Sequence, residues 1–571
     1  MRARRVDGAA LPSDDRRAAA GYTARYALSV MSIVGAPLLL FLGAAVVAGA
    51  WVVWRRPAAA LPVFVVGLAL HNLLLMLLVE SGAPTMGIRA IQAWKEAYVG
   101  LLSVRLALDV IGSGGVEFLR RSFSRWSRLP LAPRVLDLTA LAFAAVLGVY
   151  LLLPSDLLPA PAPTLAQRVL SFRTLILIPV LYLYGRVWPP VRPRDRQALV
   201  AAVVGVAALV SLVGLIELWF VPTRLWVDWG IVRFDLFQGF AYRGPGGLPS
   251  NFFQSTSTGL GLRRMVSTYL SPLGIAYTGL LVVPLAVVAA LASRLRSRWL
   301  WLAFTLVVVS IALSVTRLAL ACLAVEAIVL VGVFRRRAAV GAFSIALVAA
   351  AAALFVYPNY GPVVSFDLAD VRPPAGAHLL GLDKGAPSPG TSFPVPTSSS
   401  APGDISGDIV HRIVTADDAS IQAHFAAVRG GAEFVLRHPL GLGLGASIPR
   451  LGAATGPGES AVFQIGGEVG LVGLLLFLVL YGGVILAGAY VVWRRRADPS
   501  ETVLAVAVAV GGLALAPVVL TSQVWGDFSV TFLFWWLAGA CIAAWPNRSV
   551  GRADKVASSA RRAQGTPAPR S

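Results

Sequence analysis

Long apolar runs separated by short arginine-rich connections dominate this 571-residue chain. A helix needs about 20 apolar residues to cross the hydrocarbon layer of a bilayer. Such runs lie near 34–54, 58–79, 136–153, 169–188, 198–220, 271–293, 298–314, 317–334, 338–356, 466–493, 501–521 and 527–545. The pattern predicts an all-α polytopic membrane protein with about 12 transmembrane helices and a large late extracytoplasmic loop. Arginine-rich short loops stay on the cytoplasmic side. Five groups set the orientation here: Arg120 to Arg134, Arg192 to Arg196, Arg294 to Arg298, Arg335 to Arg337 and Arg494 to Arg496. With a cytoplasmic N-terminus these loops fit twelve crossings and not thirteen, provided 298–334 turns outside at Thr316–Arg317. Segment 97–112, interrupted by Arg105 and Asp109, is therefore expected as an interfacial or re-entrant cytoplasmic helix. The same count puts Arg55–Arg56 outside, against the trend.

This layout divides the chain into a basic cytoplasmic tail (1–26), helices with an outer loop at 221–270 (27–357), a large outer loop (358–465), further helices (466–545) and a basic cytoplasmic tail (546–571). Within the large loop, the Pro/Gly/Ser/Thr-rich tract 373–403 holds too few apolar residues for a packed core. Beyond it Ile421, Phe425, Val428, Ala432 and Leu436 recur at helical spacing, predicting a surface helix over 418–437 that Pro439 ends.

Composition agrees with the pattern: 57% of residues are hydrophobic, 13% are charged, and the mean hydropathy is +0.74. The net charge of +21 is almost entirely arginine, since Lys95, Lys384 and Lys555 are the only lysines. Guanidinium binds phosphate through paired donors, but the arginines cluster between apolar spans, which fits membrane topology and argues against nucleic acid. Cys322 and Cys541 lie in apolar spans and imply neither a disulfide framework nor a metal site. The basic stretch Met1 to Arg25 precedes the first of many spans and reads as an anchor's flank rather than a cleaved signal.

Gly441-Leu442-Gly443-Leu444-Gly445-Ala446 fits the spacing of a dinucleotide fingerprint. That motif needs a strand before it and a βαβ unit around it, whereas here a helical segment precedes the run and a membrane span follows. Two readings remain open: a flexible turn that lets the chain re-enter the membrane, or a backbone nest that approaches a diphosphate.

Three patches together resemble the O-antigen ligase and O-antigen polymerase superfamily of membrane glycosyltransferases. RHPLGLGLG is followed by GESAVFQIGGEVGLVGLLLF, which carries a Glu468-x-Gly470-x-x-Gly473 pattern. RRMVSTYLSPLGIAY (Arg263 to Tyr277) is similar to the family's entry to a span after its first long outer loop, and SVTRLALA (Ser314 to Ala321) to its serine-arginine turn. The resemblance implies a glycosyltransferase of the bacterial plasma membrane that needs no cofactor and no metal. Its donor would be a glycan on undecaprenyl diphosphate and its acceptor a glycan or a lipid-linked molecule. Glu459-Ser460 stands where the family's ligases carry a histidine, which favours a polymerase-like member or a different acceptor.

Such a reaction requires cations on the departing diphosphate and a base for the acceptor hydroxyl. Arg264 and Arg317, at the outer ends of spans, are the expected clamp, with Arg263 and His424 as further substrate contacts. Snorkelling to the interface is the ordinary reading of the Arg263–Arg264 pair. Glu459 is the expected base and His438 the alternative. Glu468, within a span, is expected to partner an arginine, and His71 to be satisfied within its own helix. Trp226, Trp229, Phe234, Phe237, Phe240 and Tyr242 suit an interfacial belt better than sugar stacking. A transporter or flippase of lipid-linked oligosaccharide, marked by midplane charges and broken helices, and a non-catalytic scaffold are the alternative functions.

Overall fold

The computed structural model describes residues 35–112, 130–158, 162–190, 192–238, 248–255, 260–292, 297–334, 337–365, 419–447, 460–495 and 499–545. It is mostly helical, and its long apolar helices make it a polytopic membrane protein: among the described residues nine are long and apolar enough to cross a bilayer, and Arg298–Leu313 and Phe528–Ala543 are shorter apolar ones.

Helices α1 (Gly35–Arg55) and α2 (Ala60–Glu80) form a hairpin. Helices α3 (Thr85–Gln92) and α4 (Trp94–Gly112) then follow with a single turn residue between them. Their contacts with α1 advance in step: Leu39 meets Gly87, Val46 accepts the Tyr98 hydroxyl, and Trp54 lies under the Arg105 guanidinium at 5.5 Å. The α3–α4 rod therefore runs parallel to α1 along the bundle, whereas the crossing count expects 97–112 at the interface. The two charges that argued against it, Arg105 and Asp109, pair with each other at 3.0 Å one turn apart, which lowers the cost of placing them on a packed helix. The same geometry puts Arg55–Arg56 at the opposite end of α2 from Glu80, which pairs with Arg233 of the 221–270 loop.

The bundle continues through α5 (Leu131–Leu152), α6 (Leu165–Leu175), α7 (Leu177–Val187) and α8 (Pro193–Phe220). Two short helices follow in the next loop, α9 (Thr223–Asp228) and α10 (Ile231–Gln238). The all-α expectation misses a small antiparallel sheet of β1 (Phe253–Ser255), β2 (Leu260–Arg263) and β3 (Val363–Ser365), with Gln254 opposite Leu262 and Gly261 opposite Val364. It ties the segment after α8 to the segment after Phe355. Helix α11 (Pro272–Ala292) is the centre, 83% of its most apolar stretch being buried. Around it lie α12 (Ser297–Leu313), α13 (Arg317–Phe334) and α14 (Arg337–Phe355), the last followed by the single turn α15 (Tyr357–Tyr360). The expected surface helix is present as α16 (Ala419–Arg437), and its Gly431 and Val435 pack on Phe463 and Gly466. Helix α17 (Ala461–Arg495), α18 (Pro499–Val506), a π-helical turn over Ala507–Gly511, α19 (Gly512–Thr521) and α20 (Phe528–Ala543) complete the set. Gly539 of α20 lies so close to α7 that a Cβ there would fall 1.9 Å from the Tyr182 carbonyl oxygen. Small residues permit such backbone contact between membrane helices.

The glycine run belongs to this packing. Helix α17 is broken at Val469–Gly470, where Gly470 has φ 71°. A break inside an apolar helix exposes backbone groups that must find partners. Here Leu442 N–H donates to the Gly467 carbonyl, Gly443 N–H to that of Glu468, and Leu471 N–H to that of Pro439. Gly441, at φ 74°, has no room for a side chain, since a Cβ would lie 2.6 Å from the Gly470 nitrogen. The run is thus neither a flexible turn nor a nest open to a diphosphate, because these amides are already bonded to the broken helix. Glu468 is fully buried and takes hydrogen bonds from the Ser171 and Ser447 hydroxyls and from Gln464 at 3.4 Å. These neutral donors replace the arginine partner expected for it.

Candidate functional site

A cavity of about 1490 Å³ opens among α2, α4, α6, α10, α11, α13, α16 and the turn before α20. Arg264, Arg317 and His424 all line it, so the fold brings together three of the six residues singled out from sequence. Added to them are Lys95, Arg173, Asp235, Tyr277 and Asp527, which sequence reading passed over.

Adjacent residues of an extended chain face opposite ways, and this separates Arg263 from Arg264. Arg263 turns into the protein, where its guanidinium meets Glu217 at 2.7 Å and the Val221 carbonyl at 2.7 Å. Trp226 also donates to Glu217, at 3.1 Å. Arg263 is thus a structural anchor outside the cavity, contrary to its expected contact with substrate. Trp226 is likewise a buried core residue rather than part of an interfacial belt. Arg264 turns into the cavity, held by the Ser314 carbonyl at 2.7 Å and the Thr316 hydroxyl at 2.9 Å. Burial lowers its pKa to about 10, and Arg317 acts in the same direction. It therefore stays a cation at neutral pH.

Arg317 begins α13 and also lines the cavity. The turn that presents it places Val315 at φ 49°, and Leu270 on the facing loop is at φ 53°. Left-handed backbone is costly for such side chains, and for a β-branched residue it is a true outlier. Among the described residues, the non-glycine positions with positive φ are these two and Ser267, all beside the segments that carry Arg264 and Arg317. Strain of this kind persists where the surrounding structure over-determines it, and it clusters at functional sites.

Across the cavity, Asp527 caps α20 by accepting the Ser529 and Val530 amides at 3.0 and 3.5 Å. Asp235 on α10 is pushed up to about 6 by burial. On the cavity wall formed by α2 and α4, His71 is satisfied from α4 rather than within its own helix: Trp94 Nε1 lies 3.1 Å from its Nδ1, and Lys95 Nζ 3.2 Å from its Nε2. Glu96 lies within ion-pair range of both Lys95 and Arg173, at 3.7 and 3.4 Å.

His438 is absent from the cavity lining and packs on Phe434 at the end of α16, with ring centroids 4.8 Å apart. Glu459, Phe240, Tyr242 and the 373–403 tract lie outside the described residues. Among the described residues there is no cluster of three His, Cys, Asp or Glu side chains that could hold a metal. One sequence signal pointed to the missed end of the site: Lys95 is one of only three lysines in a chain rich in arginine.

No protein-family model and no characterised protein matches the sequence.

Proposed function

We propose that this protein is a glycosyltransferase of the bacterial cytoplasmic membrane. It would move a glycan from an undecaprenyl-diphosphate carrier to a glycan or lipid-linked acceptor, in the manner of an O-antigen polymerase or ligase. The observation that carries this reading is the pairing of Arg264 and Arg317 in one large cavity with the carboxylates Asp527 and Asp235. Preorganised guanidinium groups stabilise charge as it develops on a departing diphosphate, and carboxylates accept hydrogen bonds from sugar hydroxyls. Positive-inside orientation puts the Arg192–Arg196 and Arg494–Arg495 ends of the helices in the cytoplasm. The cavity, between the heads of α11, α13 and α20, then faces the outer side. The resemblance assigns the proton-accepting role to Glu459.

The test uses membranes containing the protein, supplied with lipid-linked glycans extracted from the source cells. Wild type is expected to release undecaprenyl diphosphate and lengthen or transfer the glycan, and Arg264→Ala and Arg317→Ala to lose this activity. No release by wild type with any extracted donor would reject the reading.

A transporter of lipid-linked oligosaccharide is the second reading, favoured by the break in α17 at Val469–Gly470, the π turn between α18 and α19, and Glu326 within α13. Glu326 is 1% exposed, with no hydrogen-bond partner for either oxygen among the described residues. Broken helices and midplane charges mark transport paths. Movement of a labelled lipid-linked glycan across proteoliposomes without any release of the carrier would select this alternative.

A further inference from the structure

The hydrogen bonds around His71 restrict the protonation state of Lys95. An indole N–H can only donate, so Nδ1 of His71 must accept from Trp94, at 3.1 Å. A neutral imidazole with Nδ1 accepting carries its hydrogen on Nε2. That N–H faces Lys95 Nζ at 3.2 Å. An ammonium group has three hydrogens and no lone pair, so it cannot receive this bond, whereas an amine can. A protonated His71 would instead set two N–H groups against each other at Trp94. The network closes with Lys95 as an uncharged amine that accepts from His71 and donates to the Gln92 carbonyl at 3.0 Å.

Burial and Arg173 favour the amine, while Glu96 at 3.7 Å acts in the opposite direction. Lys95 is 4% exposed, and burial disfavours an ammonium. Glu96, beside it on α4, and Arg173 from α6 lie 3.4 Å apart and balance each other if Lys95 is neutral. From the α20 side Lys95 meets the Phe528 ring at 4.7 Å, and Arg173 already supplies that ring with a cation at 5.7 Å. His71 is the titratable group facing it from α2, and Asp527, next to Phe528, lines the same cavity.

We propose that His71 holds Lys95 as a neutral amine and that Lys95, in place of Glu459, accepts the proton of the acceptor hydroxyl; the second half of this rests on the glycosyl-transfer reading. The hydroxyl oxygen forms a bond to the anomeric carbon as the anomeric C–O bond to the diphosphate breaks. The electron pair of that bond leaves with the diphosphate, where Arg264 and Arg317 stabilise it. The Nζ lone pair releases the His71 N–H as it takes the hydroxyl proton, giving an ammonium that cannot keep the His71 bond. Loss of that proton to water restores the amine.

Because the chain has three lysines, the state of Lys95 can be read directly by nitrogen NMR of full-length protein in lipid nanodiscs with ¹⁵Nζ-labelled lysine. At pH 7 one of the three signals is expected in the amine form. It should be absent from Lys95→Arg and move to the ammonium form in His71→Phe, with both variants checked for folding by thermal unfolding. Three ammonium signals from folded wild type would overturn the proposal, as would an amine signal unaffected by His71→Phe. In the transfer assay Lys95→Arg, which puts a permanent cation that cannot accept a proton in place of the amine, is expected to lose about 100-fold, and Lys384→Arg to behave as wild type. Wild-type transfer by Lys95→Arg would remove the base role. The NMR needs no substrate, so an amine signal in a protein that transfers no glycan would reject the glycosyl-transfer reading and leave the protonation state of Lys95 standing.

Discussion

Glu217 and Arg263 form a buried ion pair 2.7 Å apart that joins the end of α8 to the end of β2. The pair fixes the direction of the next residue, Arg264, which turns into the cavity. Breaking a buried pair from one side costs about 3–5 kcal/mol, because it strands the other charge. Glu217→Gln is therefore expected to lower the thermal unfolding temperature and reduce glycan transfer together. Arg263→Lys, with one point charge where the guanidinium contacts both Glu217 and Val221, should fall between the variant and wild type.

Arg264 and Arg317 are expected to act on turnover rather than on folding. Removing one preorganised donor from a site of developing negative charge costs roughly 10²–10³ in rate. Arg264→Ala and Arg317→Ala should each lose activity on that order while keeping wild-type thermal stability. An equal loss of both would reassign them to structure.

Gly470 tests the role of the glycine run. Its backbone, at φ 71° and ψ −175°, lies in a region essentially reserved for glycine and costs an L residue about 1–3 kcal/mol, and a Cβ would also lie 2.6 Å from the Pro439 carbonyl oxygen. Gly470→Ala should destabilise the protein, and Gly441→Ala should do so for the same reason. Gly482, further along α17, where a Cβ meets nothing within 4 Å, tolerates alanine. Unchanged unfolding of Gly470→Ala would return the run to the status of a flexible turn.

Asp235 makes stability depend on pH. Its folded pKa of about 6 lies above the ordinary value near 4. The buried carboxyl is thus easiest to accommodate protonated, and stability is lost as pH rises from about 4 through 6. Asp235→Asn removes that loss. The unfolding temperature of the variant relative to wild type should rise across this window and level off above pH 7. A difference independent of pH would show that Asp235 is not desolvated.

The course of α3–α4 predicts which ends of the helices share a side. In a background lacking Cys322 and Cys541, a membrane-impermeant maleimide applied to intact cells should label Thr85→Cys and spare Arg56→Cys. The reverse pattern would select the interfacial placement of 97–112.

Membrane class, the positions of the apolar spans and the surface helix ended by Pro439 were determined by sequence alone. Each depends on a local quantity: the sum of side-chain transfer energies over a window, or a 3.6-residue recurrence. Arg264 and Arg317 also stood out, because polar residues at the ends of apolar spans ask for a reason; that they share a cavity with His424 did not. What only the tertiary structure decided depends on partners far along the chain. Hydropathy counts Arg105 and Asp109 as costs and takes no account of their pairing or of the Trp54 face beneath Arg105. Arg263 and Arg264 are indistinguishable until Glu217, 46 residues away, claims one of them. The state of Lys95 follows from a ring nitrogen 24 residues back on another helix, a contact that only the packing of α4 against α2 creates.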